Sequence, residues 1–258
     1  MNATAAAVRV RKGPRRWLRS YRVMLRWELT SLRLFIPVTI AVQVLAGAGF
    51  AVGIGLLRDL SSQEAMFLAT GTAVITLVLV GLILGPQIIA QQKANDTYDF
   101  LWSLPVPRTA AAAAWTTMTV LIGIPGMIAA VAVAGWRYHL NFHLGWSLIP
   151  AVLLTAGTAA LIGYALAHII GNPMITMSIT QALIFFVIGF SPVTFPDERL
   201  PAWLDRLHDW LPFKPMATVV RDALSPGLGT DVGRAYAVLL AWFVAMVVLN
   251  AVVLGRRE

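Results

Sequence analysis

The chain has 258 residues, of which 58% are hydrophobic and only 12% are charged, and its formal net charge is +8. Because a soluble domain carries about a quarter charged residues, this composition excludes an ordinary soluble protein and favours an integral membrane protein. Cysteine is absent, which excludes disulfides, thiolate metal sites and a cysteine nucleophile.

Basic residues are concentrated before the first long apolar run. They are Arg9, Arg11, Lys12, Arg15, Arg16, Arg19, Arg22, Arg26 and Arg33, and only Glu28 opposes them. Between these arginines, four apolar positions fall near helical spacing and predict an amphipathic helix in the membrane interface: Trp17, Tyr21, Met24 or Leu25, and Leu32. A basic segment with tryptophan is also typical of nucleic-acid binding, but attraction to an anionic inner leaflet explains it better. We therefore expect residues 1–33 to be a cytoplasmic tail with an interfacial helix, and no nucleic-acid partner.

Six uncharged runs are long enough to cross a bilayer as helices, which takes about 20 residues each. They cover residues 34–57, 65–90, 109–135, 146–169, 174–190 and 235–254. The cut between the fourth and fifth runs comes at the Gly-Asn-Pro sequence of residues 171–173, a strong break signal. The first run is longer than the core of a signal peptide, so we expect it to stay as a span. The sequence predicts an all-α membrane protein with a six-span domain at residues 34–258 and both termini in the cytoplasm.

The predicted spans contain no Asp, Glu, Lys or Arg. Ion-coupled carriers and voltage sensors usually need such groups inside the membrane, so an ion-coupled carrier is a weaker alternative. His168 stands at the end of a span, and we interpret it as an interfacial group. The sequence has no H-E-x-x-H, no G-x-S-x-G and no phosphate-loop motif. We therefore expect no catalytic, metal or cofactor site in this chain, and any energy for uphill transport must come from a partner.

The polar segment between the second and third spans, residues 91–108, predicts a short helix on the inner surface. Asn95 or Asp96 suits the N-cap, and Asp99 suits the positive end of the helix dipole. Its apolar residues form one face with two flanking rings: Phe100, Leu101 and Leu104 on the face, Tyr98 and Trp102 beside it. Pro105 ends the helix. Because this helix is joined tightly to two spans, it can transmit a push from a soluble partner into both.

The same segment resembles the coupling helix of exporter-type ATP-binding-cassette permeases, the six-span class that pairs with separate ATPase subunits. That motif has a charged position, then Gly-Thr, Leu four residues later and Pro four residues after that; Thr97, Leu101 and Pro105 hold these last places. Asp96 stands where the family has Gly, and Gln91 or Gln92 stands at the upstream charged position. The resemblance implies that a group of residues couples this chain to an ATPase: Asp96, Thr97, Tyr98, Asp99, Phe100, Leu101 and Pro105.

A second likeness lies in the long polar segment between the fifth and sixth spans, residues 191–231. The family's proline pairs and following arginine are matched by Phe195-Pro196, Leu200-Pro201, Leu211-Pro212 and Arg221. In the family this segment forms short re-entrant helices that cap the outer end of the transport path. An amphipathic outer loop with prolines is the alternative interpretation.

The resemblance implies a half-transporter in the cytoplasmic (inner) membrane. Two permease chains, identical or homologous, would meet in the lipid, and two ATPase subunits holding ATP and Mg would dock below them. In the family, spans two and five line the path, which implies a role for Phe67, Thr70, Thr76, Met177, Gln181 and Phe185. Ordinary helix packing is the alternative for each of these residues.

The chemistry of these path residues suits an amphipathic or lipophilic substrate. Family analogy favours efflux of drugs or antibiotics, as in multidrug resistance, while export of lipid, peptide or glycan stays open. A non-transporting membrane subunit that anchors or senses for a partner is a separate alternative. Stimulation of the partner's ATPase activity by substrate distinguishes a transporter from an anchor.

Overall fold

The computed structural model describes residues 13–57, 61–196 and 200–255, and no strand occurs in these ranges. The helices are α1 (Pro14–Ser31), α2 (Phe35–Leu57), α3 (Ser62–Leu79), a π-helical turn (Val80–Leu84), α4 (Gly85–Ala94), α5 (Thr97–Ser103), α6 (Arg108–Tyr138), α7 (Leu148–Ile169), α8 (Pro173–Phe190), α9 (Ala202–His208), α10 (Phe213–Leu224) and α11 (Val232–Gly255). The predicted all-α class is confirmed. The first part of the predicted basic tail, residues 1–12, lies outside the described residues.

Six helices of the described chain are long and apolar enough to cross a membrane. Five lie close to the predicted runs, whereas the second is longer: α3, the π-helical turn and α4 form one span of 33 residues, Ser62–Ala94. The apolar run ends at Ala90, but the helix continues because glutamine, lysine and alanine are good helix formers. The chain is therefore a multi-pass membrane protein whose second span projects beyond its apolar run.

Local signals explain where the spans begin. Ser61 and Glu64 form a reciprocal capping box at the start of α3, in which the Ser61 hydroxyl accepts from the Glu64 amide. The Asn172 side chain accepts from the amides of Met174 and Ile175, and Pro173 occupies the first turn of α8. The Asn172 cap thus starts α8 at the predicted break between the fourth and fifth spans.

The second span is the central helix of the bundle. Inside the protein, 78% of its most apolar window is buried, compared with 17% for α2, 22% for α8 and 17% for α11. Gly81 allows this packing, because a Cβ there would lie 2.6 Å from the Ala159 carbonyl carbon of α7. The three peripheral helices leave broad apolar faces for lipid or another chain.

The short helices divide between the two ends of the bundle. At one end, here called the α5 end, Tyr98 of α5 shares an apolar cluster with Leu25 of α1 and Leu254 of α11. At the other end, here called the α10 end, Phe213 and Met216 of α10 share a cluster with Ala235 of α11. The first and last described helices thus both reach the α5 end.

Candidate functional site

The turn before α5 differs from the predicted one. Asp96 occupies the N-cap position, but its side chain makes no capping hydrogen bond, and its φ is 56°. Asn95 instead ends α4. A residue with left-handed backbone angles changes the direction of the chain sharply. The backbone conformation of Asp96, and not a side-chain cap, therefore starts α5. Asp96 also stands at the position where the coupling-helix motif has glycine, the residue that adopts positive φ most easily.

The buried face of α5 is not the predicted one. Tyr98 is buried and Trp102, one turn later, is half-buried, whereas Phe100 is 54% exposed. Leu101 is half-buried and Asp99 is exposed. The sequence-based assignment of Phe100 to the packed face is therefore wrong, because the rings that were expected to flank that face carry the packing. Asp99 faces outward, and the half-exposed ring of Phe100 lies 6.2 Å from the ring of Trp27 in α1, measured between centroids.

His168 lies at the centre of an aromatic cluster under α5. Its ring is 4.0 Å from the ring of Tyr164, 5.6 Å from Trp102 and 5.7 Å from Tyr98, measured between centroids. Nδ1 of His168 is 2.7 Å from the Tyr164 carbonyl oxygen, and the side chain is 3% exposed. His168, interpreted from the sequence as an interfacial group at the end of a span, lies in the last turn of α7 and is covered by α5. The cluster joins α5 directly to the end of α7.

Two cations brace α5 from either side. Lys93 Nζ donates to the carbonyl oxygens of Ala167 (2.5 Å) and Ile170 (2.7 Å) and lies 5.1 Å from the Tyr98 ring centroid. Arg108 donates to the Trp102 carbonyl oxygen at 2.7 Å and lies 4.1 Å from the ring centroid of the same residue. The cations belong to the helices before and after α5, so both neighbouring spans hold it.

Helix α1 fastens the same assembly from the side. Arg16 donates to the carbonyl oxygen of Pro105 at 2.8 Å. The Trp17 indole donates to the Thr109 hydroxyl at 2.9 Å. Pro105, which was predicted to end α5, therefore also connects the α5–α6 turn to α1. Helices α1, α5, α6 and α7 meet as one joint.

A buried acid lies inside this joint. Glu28 of α1 is 5% exposed, and its Oε2 atom has no hydrogen-bond partner among the described residues. It lines a cavity of about 50 Å³ together with Trp102, Arg108 and His168. Burial raises the pKa of Glu28 to about 7, because desolvation disfavours the carboxylate. Sequence reasoning counted Glu28 only as a counter-charge; its position at helical spacing from Met24, Tyr21 and Leu25 was the available signal.

At the α10 end, Arg221 is the central residue. It is 5% exposed, and it donates from Nε to the Thr70 hydroxyl at 3.3 Å and from Nη2 to the Val193 carbonyl oxygen at 2.6 Å. Its guanidinium lies 3.5 Å from the centroid of the Phe67 ring. Phe67 and Thr70, which the resemblance assigns to the transport path, therefore hold the residue that it assigns to the cap.

The remaining predicted cap residues surround the short helices α9 and α10. Pro201 and Pro212 stand at the N-caps of α9 and α10. Pro212 is buried, Pro201 is exposed, and the other members are half-buried: Phe195, Pro196, Leu200 and Leu211. Gly71 of α3 packs against this segment so closely that a Cβ there would clash with the Val193 carbonyl oxygen. The segment after α8 is thus pressed onto the start of the second span.

The comparison with protein families decides the identity of this bundle. Residues 57–252 match the family described as ABC-2 family transporter protein. The chain belongs to the ABC-2 transporter family. It is the membrane permease component of such a transporter, a component that is typically not itself catalytic. A search of curated proteins found no significant match.

The predicted path residues of this ABC-2 permease occupy two environments. Thr76 is fully buried in α3, and its hydroxyl donates to the Ala73 carbonyl oxygen. On α8, Gln181 is exposed and Phe185 is 65% exposed. Met177 is half-buried and lines a cavity of about 450 Å³. The α8 members are therefore accessible from the surface or a cavity, and the path role of the whole set stays a prediction.

Proposed function

We propose that this ABC-2 permease is the membrane half of an ATP-driven exporter and that α5 is its contact with a separate ATPase. The joint around α5 supports this role most directly. Lys93 of α4, Arg108 of α6 and His168 of α7 all contact α5, so a displacement of α5 must move three spans. Its outward residues offer a surface to a docking protein: Asp99 is exposed, and Phe100 keeps 54% of its surface exposed beside Trp27 of α1.

The α5 end is proposed to face the cytoplasm. The exposed side of α1 carries a run of arginines: Arg15, Arg19, Arg22 and Arg26. At the α10 end the charges are mixed, since Lys214 pairs with Asp205 and Asp209 at 2.6 and 2.8 Å. An excess of Lys and Arg near span ends marks the cytoplasmic side. Both termini would then be cytoplasmic, in an inner membrane.

A second permease chain is proposed to meet the exposed face of α8. Ser178 and Gln181 lie on that face, with Phe185 beyond them. An amide that faces hydrocarbon without a partner is costly, which favours contact with another chain or with a path between two chains. Two permeases and two ATPases, which would bind ATP and Mg, make the proposed complex. The ATP-bound ATPases must prefer one permease state, because a ligand shifts an equilibrium only by differential affinity.

The proposed cargo is an amphipathic or lipophilic small molecule, with drug or antibiotic efflux as the leading case. The accessible path candidates support this class, because a thioether, an amide and a phenyl ring offer apolar contact with one hydrogen-bonding group. Lipid, peptide or glycan cargo is the alternative. Transport of each class by the purified complex in vesicles distinguishes between them.

The decisive experiment is a pull-down of the tagged chain in mild detergent, followed by mass spectrometry of what accompanies it. We expect a stoichiometric phosphate-loop ATPase. Phe100→Ala is expected to lower its recovery, whereas Phe190→Ala removes an equally exposed ring, 57% against 54%, from the other end of the bundle and should not. Recovery of the chain alone, under conditions that preserve known complexes, would overturn the exporter.

Coupling is tested separately from binding. Thr97→Ala combined with Leu101→Ala is expected to leave membrane insertion intact and to uncouple ATP hydrolysis from export. Normal transport by this double variant would remove the coupling role of α5. If the ATPase binds but no substrate stimulates it, the chain is an anchor or a sensor.

The proposed orientation is tested in the cysteine-free chain, where an introduced thiol is unique. Ser62→Cys at the start of α3 and Ser103→Cys at the end of α5 are both at exposed positions. A membrane-impermeant maleimide added to intact cells should label only the first variant. Labelling of Ser103→Cys alone would invert the topology.

A further inference from the structure

A polar pocket of about 190 Å³ lies at the α10 end, between α10, the start of α11 and the end of α9. Its volume equals that of roughly six water molecules, enough for a group the size of phosphoethanolamine. Two of its charged residues are already engaged, since Lys214 Nζ lies 2.6 Å from Asp205 Oδ1 and 2.8 Å from Asp209 Oδ1. The chemistry left for a ligand therefore comes from the other polar residues that line the pocket: Thr218, Thr230, Asp231 and Arg234.

Arg234 offers the pocket a guanidinium whose donors are largely unused. Its one ion pair with a described residue is to Asp209 Oδ2 at 3.6 Å, which is longer than a hydrogen bond. The side chain is 49% exposed, and the guanidinium lies 5.5 Å from the centroid of the Trp210 ring. A planar guanidinium binds a phosphate group through paired hydrogen bonds. Arg234 can therefore hold the anionic part of a ligand.

Thr218 supplies a hydroxyl at the floor of the pocket. The residue is only 6% exposed. The hydroxyls of Thr72 and Thr76 in α3 donate to carbonyl oxygens of their own helix. The Thr218 hydroxyl, in contrast, has no hydrogen-bond partner in the described part of the chain, and it keeps surface that is reachable from the pocket. A nearly buried hydroxyl of this kind gains a hydrogen bond when a ligand supplies an acceptor.

Asp231 supplies a negative charge at the rim of the pocket. The residue is exposed, and its carboxylate makes no hydrogen bond or ion pair with any described residue. Asp231 and Arg234 thus present opposite charges to one pocket without neutralising each other. A purely anionic ligand would be repelled by Asp231, and a purely cationic one by Arg234. A ligand that carries both charges matches the pocket best.

The α10 end has the surface of a segment that crosses the membrane–water interface. Trp203 and Trp210 are each 68% exposed, and Trp146 is 87% exposed. Trp146 follows the loop that is bonded to α10, where the His143 amide donates to the Leu224 carbonyl oxygen. Exposed tryptophans are enriched at the level of the lipid head groups. One wall of the pocket is α11, whose most apolar window is only 17% buried, so acyl chains can lie beside the pocket.

We propose that this pocket binds the head group of a zwitterionic phospholipid, with the phosphodiester on Arg234 and Thr218 and the ammonium on Asp231. The phosphodiester oxygens accept from the guanidinium and the hydroxyl, the ammonium donates to the carboxylate, and the acyl chains lie along α11. None of the lining residues belongs to the α5 joint or to the predicted transport path. The site therefore needs neither an ATPase nor a cargo.

Protection of an introduced thiol tests the site in the purified full chain. Thr230 is exposed and lines the pocket, so Thr230→Cys in this cysteine-free chain gives one thiol at the rim. Phosphatidylethanolamine added to the detergent micelles should slow its reaction with maleimide, and the effect should saturate. Ser62→Cys is at an exposed position outside the pocket, and its reaction rate should not change.

Phosphatidylglycerol is the matched lipid, because it keeps the phosphodiester but lacks the ammonium. About tenfold more of it should be needed for equal protection, the factor expected for one charge-assisted hydrogen bond. This order is opposite to that of simple attraction between charges, since the chain has a net charge of +8 and would favour the anionic lipid. Equal protection by the two lipids, or protection that does not saturate, would overturn the site.

Four variants separate head-group recognition from simple shielding of the thiol. Asp231→Asn should make the two lipids equal, because it removes the group that distinguishes them. Thr218→Val should weaken both lipids about fivefold without lowering the melting temperature of the lipid-free chain, since the hydroxyl has no partner in the described chain to lose. Arg234→Gln should weaken both lipids further. Arg206→Gln changes an exposed arginine of α9 outside the pocket and should change nothing.

A soluble competitor distinguishes a lipid from a free zwitterion. Glycerophosphoethanolamine carries the same head group without acyl chains, so it should protect the thiol only at a far higher concentration than phosphatidylethanolamine. Protection at the same concentration would assign the pocket to a soluble ligand and overturn the lipid. The assay contains no ATPase, so its outcome is independent of the proposed export function.

Discussion

Arg221 and Glu28 are equally buried charges at opposite ends of the bundle. Each is 5% exposed, but their environments differ. Arg221 donates to the Thr70 hydroxyl and the Val193 carbonyl oxygen and stacks on Phe67. Glu28 leaves Oε2 without a partner among the described residues and adjoins a cavity. Equal burial therefore has opposite consequences: the cation is compensated, and the carboxylate is not.

The difference indicates that disrupting the buried charge costs more free energy at the α10 end than at the α5 end. A compensated buried charge is strongly destabilising to disrupt, because its partners lose their bonds. An uncompensated one raises the energy of the state that contains it and lowers the cost of leaving that state. The α5 end contains Glu28, a π-helical turn and Trp115, whose Nε1 has no hydrogen-bond partner among the described residues. In the proposed exporter, this is therefore the end that a docked ATPase would shift most easily.

Removing the compensated charge should have the largest effect. Arg221→Leu deletes two charged hydrogen bonds and a cation–π contact, so we expect a loss of roughly 4 kcal/mol in stability. Arg221→Lys keeps the charge but lacks the planar guanidinium group. Its stability should therefore lie between those of Arg221→Leu and wild type. The melting temperatures of wild type and the two variants in detergent measure this order of stability.

Loss of the Arg221 contacts should also loosen the segment after α8. Thr194→Cys, at a half-buried position beside Val193, provides a unique thiol for maleimide. Its labelling rate should rise when Arg221→Leu is added. Equal rates and equal melting temperatures would show that Arg221 does not hold this end closed.

Removing the uncompensated charge should act in the opposite direction, and only at high pH. The folded state raises the pKa of Glu28 from 4.5 to about 7, so it binds the proton more tightly than the unfolded state does. The contribution of Glu28 to the free energy of unfolding is therefore fully present at low pH. It is lost as the pH rises from about 4.5 to 7, by about 3 kcal/mol in total. Glu28→Gln should match wild type at about pH 4, below both pKa values, and exceed it at pH 8.

Thermal unfolding across this pH range checks the effect. Asp99→Asn, which neutralises an exposed acid of α5, is the matched control and should follow wild type. If Glu28→Gln is less stable than wild type at pH 8, the carboxylate has a stabilising partner and the contrast with Arg221 fails.

Sequence patterns predicted the spans and the location of α5 because those depend on local properties. A long uncharged run must cross the membrane as a helix, and the Gly-Asn-Pro break is made by the Asn172 cap. The buried face of α5 was predicted wrongly, because Tyr98, Phe100 and Trp102 are all aromatic residues within two helical turns. Which of them is buried depends on the rings that α7 presents, and those come from a distant part of the chain.

The residues that sequence reasoning missed share one property: their role depends on tertiary burial. Lys93 looked like an ordinary polar residue of a connecting segment, yet it holds the last carbonyl groups of α7. Trp115 looked like a span residue, and only the fold shows that its Nε1 is buried with no hydrogen-bond partner in the described part of the chain. The residue type shows whether a side chain is polar, but it does not show which hydrogen-bond partners surround that side chain in the fold.

The smallest predicted effect concerns the turn that precedes α5. Asp96 has a φ of 56°, in a region that costs most side chains about 1 kcal/mol and glycine very little. Asp96→Gly should therefore stabilise the α5 end or leave it unchanged, whereas Asp96→Val should destabilise it by about 1–2 kcal/mol. Asn95 has a φ of −108°, so Asn95→Gly should bring no gain. Hydrogen exchange of the α5 amides measures these differences locally. Slower exchange in Asp96→Gly than in Asn95→Gly would show that the glycine of the coupling-helix motif serves this backbone conformation; equal exchange would assign the motif glycine to contact with the ATPase instead.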